Sequence, residues 1–531
     1  MDWTDVPPIR LETHFGRVMR CFAERPAHLD AMLAAIVARH PEREALVDGE
    51  HRLDYARLDR VTERVAGHFR RLGVDRGDRV ALLLANEREF VYALLATLRL
   101  GAIAVPINVR EPGPELAYIL GQCGAKAIVF DAALADRLPS PGELSALAVR
   151  LSVGSAMGAT PFEELLEARS PSFLRPEPRE EEPAVILYTS GTTGRPKGAM
   201  LTHINLIHSV LHYRVCMRLA AADRSLLAVP ASHVTGLVAI ILALLSVGGC
   251  VVMLREFRAR AFLELAARER MTHTLVVPAI YNLCLREPDF ARFDLSAWRI
   301  GGFGGAPMPE GTIRALAEKL PGLALVNAYG ATETTSPTTI MPMGGQAAHL
   351  DSVGAVVPCG DVRVVDDDGR DLPRGEAGEL WIAGPMVVPG YWDDPDASAR
   401  EFAGGYWKSG DIGAIDERGF LRVLDRKKDL VNRGGYKIYC AEVESVLSLH
   451  PAVVESALIA VPDPVLGEKG HAFVVTRDPA CAAESLRAHC ARHLADYKVP
   501  DYFTLRSAPL PRNANGKLLK RALREAGPAR A

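Results

Sequence analysis

Short runs rich in Val, Ile and Leu alternate with helix-length amphipathic segments along most of this sequence. That alternation constrains the fold more than any other feature. Arg79–Leu84 reads as a strand, Phe90–Leu100 as a helix, Ile103–Ile107 as a strand and Lys126–Phe130 as another. Such runs predict βαβ units and largely parallel sheets buried on both faces. At 531 residues the chain exceeds what one hydrophobic core supports, so at least two domains are expected. Gly154 to Pro183 is richer in Pro, Ser and Glu and reads as a surface connection before the apolar strand Val185–Tyr188. Beyond about Arg370 the texture changes. Asp366-Asp367-Asp368-Gly369 is a turn between strand-like runs, several short strands follow, and a last βα-type segment runs from about Lys427 to the end. The expected fold class is α/β: a large N-terminal domain (1–426) of βαβ layers with parallel sheets plus a β-rich subdomain, and a small α+β C-terminal domain (427–531).

Charge excludes several function classes. Lys plus Arg number 62 and Asp plus Glu 65, a net charge of −3, so nothing global recruits nucleic acid or an anionic membrane. The local basic stretch Arg426–Lys428 suits one phosphorylated ligand better than a polyanion. Nine cysteines form no C-x-x-C pair and no zinc-like spacing with His, and they read as reduced packing residues of a cytoplasmic protein. The opening MDWTDVPPIRLETHF lacks the basic and apolar regions of a signal peptide. Gly236 to Leu254 carries no charge over 19 residues, the length of a membrane span. Gly248-Gly249 splits it, however, so a buried helix, a tight turn and a buried strand are expected rather than a span.

The stretch Tyr188-Thr-Ser-Gly-Thr-Thr-Gly-Arg-Pro-Lys-Gly198 directly follows a buried strand. Its glycines let backbone N–H groups turn toward an anion, and the hydroxyls and the Lys197 ammonium add donors for phosphate oxygens. A Lys–phosphate contact at about 4 Å is worth roughly 4 kcal/mol at an effective dielectric near 20. It is not a Walker loop, because Lys197 is preceded by Pro196 and followed by Gly198 rather than Ser or Thr. A solvated Gly/Ser/Thr loop is the competing reading of the composition alone.

The complete string resembles the signature loop of the adenylate-forming superfamily of acyl-CoA synthetases, luciferases and peptide-synthetase adenylation domains. Further family-like motifs appear in the expected order: Pro230-Ala-Ser-His-Val-Thr-Gly236, Gly304-Gly-Ala-Pro307, Tyr329-Gly-Ala-Thr-Glu333 and Trp407-Lys-Ser-Gly-Asp411. Asp425-Arg-Lys-Lys-Asp429 with Gly434-Gly435, and Pro511-Arg-Asn-Ala-Asn-Gly-Lys517, complete the series.

The resemblance implies roles residue by residue. Thr189, Ser190, Gly191, Thr192, Thr193, Gly194 and Lys197 would cradle the phosphates of ATP. Glu333, with Thr192, would hold Mg²⁺. Thr332 would bond the α-phosphate, Tyr329 would stack on adenine, and Asn327 and Gly330 would belong to the same nucleotide site. Gly304, Gly305, Ala306 and Pro307 would form the backbone strip bordering adenine and acyl pocket. Asp411 would hold the ribose hydroxyls with help from Arg426. Lys517 would be the catalytic lysine, its ammonium bridging acyl oxygen and phosphate as charge accumulates. Lys428 would be the hinge on which a mobile C-terminal domain turns between adenylating and thioester-forming arrangements. Gly434 and Gly435 would then border the channel for coenzyme A. His233 would orient the acid's carboxylate, with Ser232, Val234 and Phe303 lining the acyl pocket. Two departures stand out: Ser232, where relatives carry a bulkier aromatic residue, and Arg433, where they carry a small or uncharged one.

The expected activity is ligation of a carboxylic acid to coenzyme A through an acyl-adenylate, releasing AMP and pyrophosphate. The segments expected to line the acyl pocket, Val234–Ala239, Val276–Leu283, Phe303 and Ser336–Met343, carry no charge. That favours a medium aliphatic or simple aromatic monocarboxylate over a dicarboxylate. The alternatives are loading of a carrier-protein pantetheine, a light-emitting oxidation and a non-catalytic nucleotide sensor. A homodimer is the default assembly.

Overall fold

A computed structural model describes residues 3, 5–169, 171–189, 195–512 and 518–525. Packing divides the chain into two compact units. The first comprises Met1–Val362, Ile382–Lys408 and Arg418–Leu421; the second comprises Arg363–Trp381, Ser409–Glu417 and Arg422–Ala531.

The first unit carries the βαβ pattern. One sheet has seven strands in the order 197–202, 183–189, 103–106, 79–83, 127–131, 149–153 and 160–161. Its strands are parallel except for the pair Pro183–Thr189 and Lys197–Thr202, which is antiparallel. A second sheet runs parallel through Glu44–Asp48, Cys250–Met253, Arg224–Leu227, His273–Val276, Ile300–Phe303 and Ala324–Tyr329. Antiparallel strands Thr339–Ile340 and Gly354–Val356 extend it. The strands are buried on both faces because helices such as Tyr55–Arg71 and Arg88–Arg99 cover them, which is why they read as continuous apolar runs. The observed helix Arg88–Arg99 and strands Arg79–Leu83, Ile103–Pro106 and Ala127–Asp131 match the expected segments within two residues.

Two expectations need amendment. The uncharged segment does form helix, turn and buried strand, with Gly248 left-handed at φ +77° before Cys250–Met253. Its first part, Thr235–Leu242, winds as a π-helix before continuing as the α-helix Ala243–Val247. An all-apolar run has no polar face and hence no period from which that winding could be read. Among the described residues no helix is long and apolar enough to cross a membrane. The Pro- and Glu-rich connection also holds the short helix Phe162–Glu167, which buries Phe162 and Leu165. Its apolar residues recur at i and i+3, a signal masked by the flanking composition.

In the second unit the hairpin-forming strands Val453–Asp463 and Gly467–Thr476 are antiparallel, Tyr502–Arg506 adds in parallel to the latter, and Val431–Arg433 with Tyr436–Ile438 forms a further hairpin. Helices Cys440–Ser448 and Ala483–His493 contribute Val443, Leu447, Leu486 and Cys490 to one core with Val431, Leu458 and Val474. Helix Lys520–Glu525 contributes Leu523 to another, with Ile459 and Phe473.

Candidate active site

The described candidate residues fall into two groups, one in each unit. Loops at the C-terminal ends of parallel strands are where open α/β sheets bind ligands, and the first group lies there. Strand Pro183–Thr189 pairs antiparallel with Lys197–Thr202, with Thr189 opposite Lys197 and Tyr188 opposite Gly198. Gly198 is required by close packing, since an added Cβ would lie 2.7 Å from Ile186 Cγ2. Ser190, Gly191, Thr192, Thr193 and Gly194 lie outside the described residues, as does Lys517.

Glu333 follows strand Ala324–Tyr329 in the one-turn helix Thr332–Thr334. Glu333 is only 8% exposed although its neighbours Thr332, Thr334 and Thr335 are polar. Its Oε1 accepts from Tyr391 OH at 3.0 Å and from Thr189 Oγ1 at 3.4 Å. Burial raises its carboxyl above the ordinary range, and the Glu401 charge adds to this; Tyr391 and Lys197 oppose it. Beyond Thr334, both Thr335 (φ +49°) and Ser336 (φ +31°) are left-handed without being glycine, a strained connection of the kind found at functional sites.

Two residues with no role in the sequence reading complete this cluster. Tyr391 OH also donates to Glu401 Oε2 at 2.6 Å, and Glu401 Oε1 accepts from the Lys197 ammonium. That ammonium sits 4.4 Å above the Tyr391 ring. The backbone holds the group together: Met200 N donates to Gly390 O (3.1 Å), Trp392 N to Gly198 O (2.7 Å) and Val388 N to Glu333 O (2.9 Å). Lys197, Glu333, Tyr391 and Glu401 therefore form one constellation of two carboxylates, a phenol and an ammonium, buried except for the half-buried Glu401. A buried hard-oxygen donor whose anionic form is disfavoured by desolvation fits Mg²⁺, because a divalent cation supplies the missing counter-charge.

The glycine strip follows strand Ile300–Phe303. An added Cβ on Gly304 would lie 2.4 Å from Ala328 O, and Gly305 has φ +75°, so both positions exclude other side chains. Ala306 and Pro307 are exposed beside them. Tyr329 and Thr332 are half-buried and Gly330 is exposed. The Asn327 side chain is buried and donates to Ser352 O at 3.3 Å. His233 is exposed, and its Nδ1 contacts Thr235 Oγ1 at 3.2 Å. Ser232 is half-buried, and Val234 and Phe303 are buried.

In the second unit the two ribose candidates meet: Arg426 Nε lies 2.6 Å from Asp411 Oδ1, and Asp411 is 3% exposed. Lys428 is exposed in the turn Lys427–Asp429. Its neighbours are ion-paired, Lys427 with Glu379 (3.0 Å) and Asp367 (3.1 Å), and Asp429 with Arg524 (2.7 Å). Gly434 (φ +60°) and Gly435 (φ +92°) are the two central residues of the hairpin in which Arg433 opposes Tyr436, a turn that requires left-handed conformations at both. Arg433, ambiguous in the sequence, bonds Asp501 at 3.2 and 3.4 Å.

Among the described residues one group of His, Cys and carboxylate converges elsewhere: Glu12, His14 and Cys21. Glu12 already accepts from Arg10 and from both terminal nitrogens of Arg25, which hold its carboxyl well below the usual range. Burial pushes the Cys21 thiol up to about 12, so no thiolate is on offer. The group is an ion-pair cluster.

Comparison with known proteins agrees with this architecture. The family described as AMP-binding enzyme matches residues 33–392, and its C-terminal domain matches residues 442–517. The chain belongs to the AMP-binding enzyme family. A feruloyl-CoA synthase from an Amycolatopsis species is 36% identical, covering 91% of this chain and 96% of its own. A long-chain-fatty-acid–CoA ligase of Mycobacterium tuberculosis is 34% identical, covering 89% and 93%. The solved structure of o-succinylbenzoate coenzyme A synthetase from Bacillus subtilis with ATP and a magnesium ion superimposes with a TM-score of 0.83 at 31% identity, covering 93% and 99%. That enzyme has also been solved with its acyl-adenylate intermediate. The AMP-binding family member described here is an α/β ATP-dependent acid–CoA ligase of the adenylate-forming superfamily.

Proposed function

We infer that this enzyme joins a medium aliphatic or simple aromatic monocarboxylic acid to coenzyme A, using magnesium-bound ATP to form the acyl-adenylate. The observation that supports the nucleotide half is the hydrogen-bonded constellation of Lys197, Glu333, Tyr391 and Glu401. Lys197 supplies positive charge to the transferring phosphates, and Glu333, with Thr192, would hold the magnesium ion, which neutralises phosphate charge when bound. Asp411 and Arg426 would fix the ribose, Thr332 the α-phosphate, and Asn327, Tyr329 and Gly330 with the strip Gly304–Pro307 the base. Lys517 would bridge acyl oxygen and phosphate in the adenylating step. Rotation of residues 427–531 about Lys428 would then bring Gly434 and Gly435 to the thiol of coenzyme A. We take the enzyme to act in the cytoplasm and as a homodimer by default.

The acid class rests on what the candidate acyl residues lack. Val234, Val276 and Phe303 are buried and apolar, and Ser336 is buried with its hydroxyl on Tyr213 OH at 2.9 Å. None of them carries a charge to meet a second carboxylate. Pyrophosphate release over a panel of hexanoate, octanoate, benzoate and malonate, with coenzyme A consumption followed in parallel, tests the reading. Octanoate or benzoate should be turned over best; malonate as the best substrate would overturn it. Adenylation without coenzyme A consumption would favour a carrier-protein acceptor.

A further inference from the structure

Asn86 lies in the loop between strand Arg79–Leu83 and helix Arg88–Arg99 and is 6% exposed. Its side-chain amide is saturated by backbone groups from two distant loops. Nδ2 donates to Leu227 O (3.2 Å), Val229 O (3.0 Å) and Leu254 O (3.1 Å), and Oδ1 accepts from Ala231 N at 2.8 Å. The amide can point only one way: flipped, Oδ1 would face three carbonyls and Nδ2 would face an N–H. A buried amide is costly unless fully bonded, and here every bond goes to the segment that leaves strand Arg224–Leu227 or to the end of its neighbour Cys250–Met253.

That segment carries His233. Ala231, gripped by Asn86, lies inside the turn in which His233 N donates to Pro230 O at 3.1 Å. The π-helix then packs onto the same turn, because an added Cβ on Gly236 would lie 2.3 Å from Pro230 O. The His233 ring is held locally by Thr235, whose N–H donates to Nδ1 at 3.3 Å. The ring's position is thus set by its turn, and the turn's position by Asn86 together with the Gly236 contact.

We propose that Asn86 is a positioning residue for acid binding, its amide fixing the Pro230–His233 turn from which His233 meets the acid carboxylate. The inference rests on the role of orienting the acid's carboxylate that the family resemblance implies for His233, and goes beyond it by assigning the group that aims it.

The test uses the full-length enzyme with octanoate and benzoate as probes. Asn86→Ala should raise KM for the acid by about tenfold, the size of one buried hydrogen bond lost, and leave KM for ATP unchanged. His233→Ala should raise the same KM, and the double variant should be no worse than the poorer single one. A purely structural role would lower the melting temperature and leave this split between acid and ATP absent. Multiplying effects in the double variant, or equal changes in both KM values, overturns the proposal. The two ideas can fail apart. An unchanged acid KM in His233→Ala refutes the role of His233, whereas an effect in His233→Ala with none in Asn86→Ala refutes Asn86 alone. Should Asn86→Ala not fold, Asn86→Asp, which keeps the acceptor for Ala231 and replaces the donor by an oxygen facing three carbonyls, is read the same way. Hydrogen exchange on the acid-free enzyme checks the positional half without any substrate: residues 229–235 should exchange faster in the variant. Unchanged exchange there overturns the proposal as well.

Discussion

Replacing Tyr391 by Phe removes one hydroxyl from the constellation and little else. The ring stays, and with it the contact to the Lys197 ammonium at 4.4 Å. What is lost is the donor shared by Glu333 (3.0 Å) and Glu401 (2.6 Å), in a setting where Glu333 is 8% and Tyr391 2% exposed. A buried hydrogen bond to a charged group is worth about 1.5–3 kcal/mol, and sharing between two carboxylates argues for the lower end. At 1.4 kcal/mol per decade the expected penalty is about tenfold. It should fall on magnesium, because Glu333 loses the donor that orients it and that favours its ionised form. The assay is acid-dependent ATP–pyrophosphate exchange titrated with Mg²⁺. Half-saturation should move up about tenfold, while KM for the acid stays where it was. A fall in exchange rate with an unmoved magnesium midpoint would refute the reasoning, since it would show that the hydroxyl acts elsewhere than through Glu333.

Lys517→Ala should cost at least about a hundredfold in adenylation, the size expected for one oriented charge contact, and should spare thioester formation from supplied acyl-adenylate; equal loss in both half-reactions would contradict the assignment. Lys428→Pro should leave pyrophosphate exchange intact and slow thioester formation, because a hinge residue must change its backbone torsions; normal overall turnover would sink the hinge. Glu87 is buried and its carboxyl is pushed up to about 7, chiefly by desolvation, with Arg255 pulling it back. The sign follows from the raised value. The folded chain holds this proton where the unfolded chain has lost it, so stability falls as pH rises from about 4.5 to 7 and stays reduced above, by at most about 3 kcal/mol. Glu87→Gln should therefore raise the melting temperature at pH 8 more than at pH 5, and an equal change at both would count against a buried, titrating carboxyl.

How far the sequence could be read depended on whether the information was local. Parallel strands buried on both faces announce themselves as apolar runs, and Arg79–Leu83 or Ala127–Asp131 could be placed within two residues. Lys197, Glu333 and Asp411 could be picked out as candidates because each stands within a few residues of the glycines or hydroxyls of a motif, and Arg426 because it lies in the charged run Asp425–Asp429. Tyr391 and Glu401 were not, because nothing near them marks a site: they lie in Gly-Tyr-Trp-Asp-Asp-Pro and Ala-Arg-Glu-Phe, 58 and 68 residues after Glu333. Their role exists only because residues 390–392 pair with strand Lys197–Thr202 and deliver a phenol and a carboxylate to groups far away in sequence. Asn86 is hidden for the same reason. It reads as a loop asparagine before a helix, and only the fold brings Ala231, 145 positions later, to its side chain. Burial was likewise invisible at Glu333, whose neighbours Thr332, Thr334 and Thr335 look like a solvated turn, although Thr334 and Thr335 are fully buried. Motifs in this chain thus mark the candidate site residues, whereas the side chains packed against them are recoverable only from the fold. The variants that separate the two kinds are Tyr391→Phe and Asn86→Ala: each should shift the binding of one partner, magnesium or acid, and leave the other untouched.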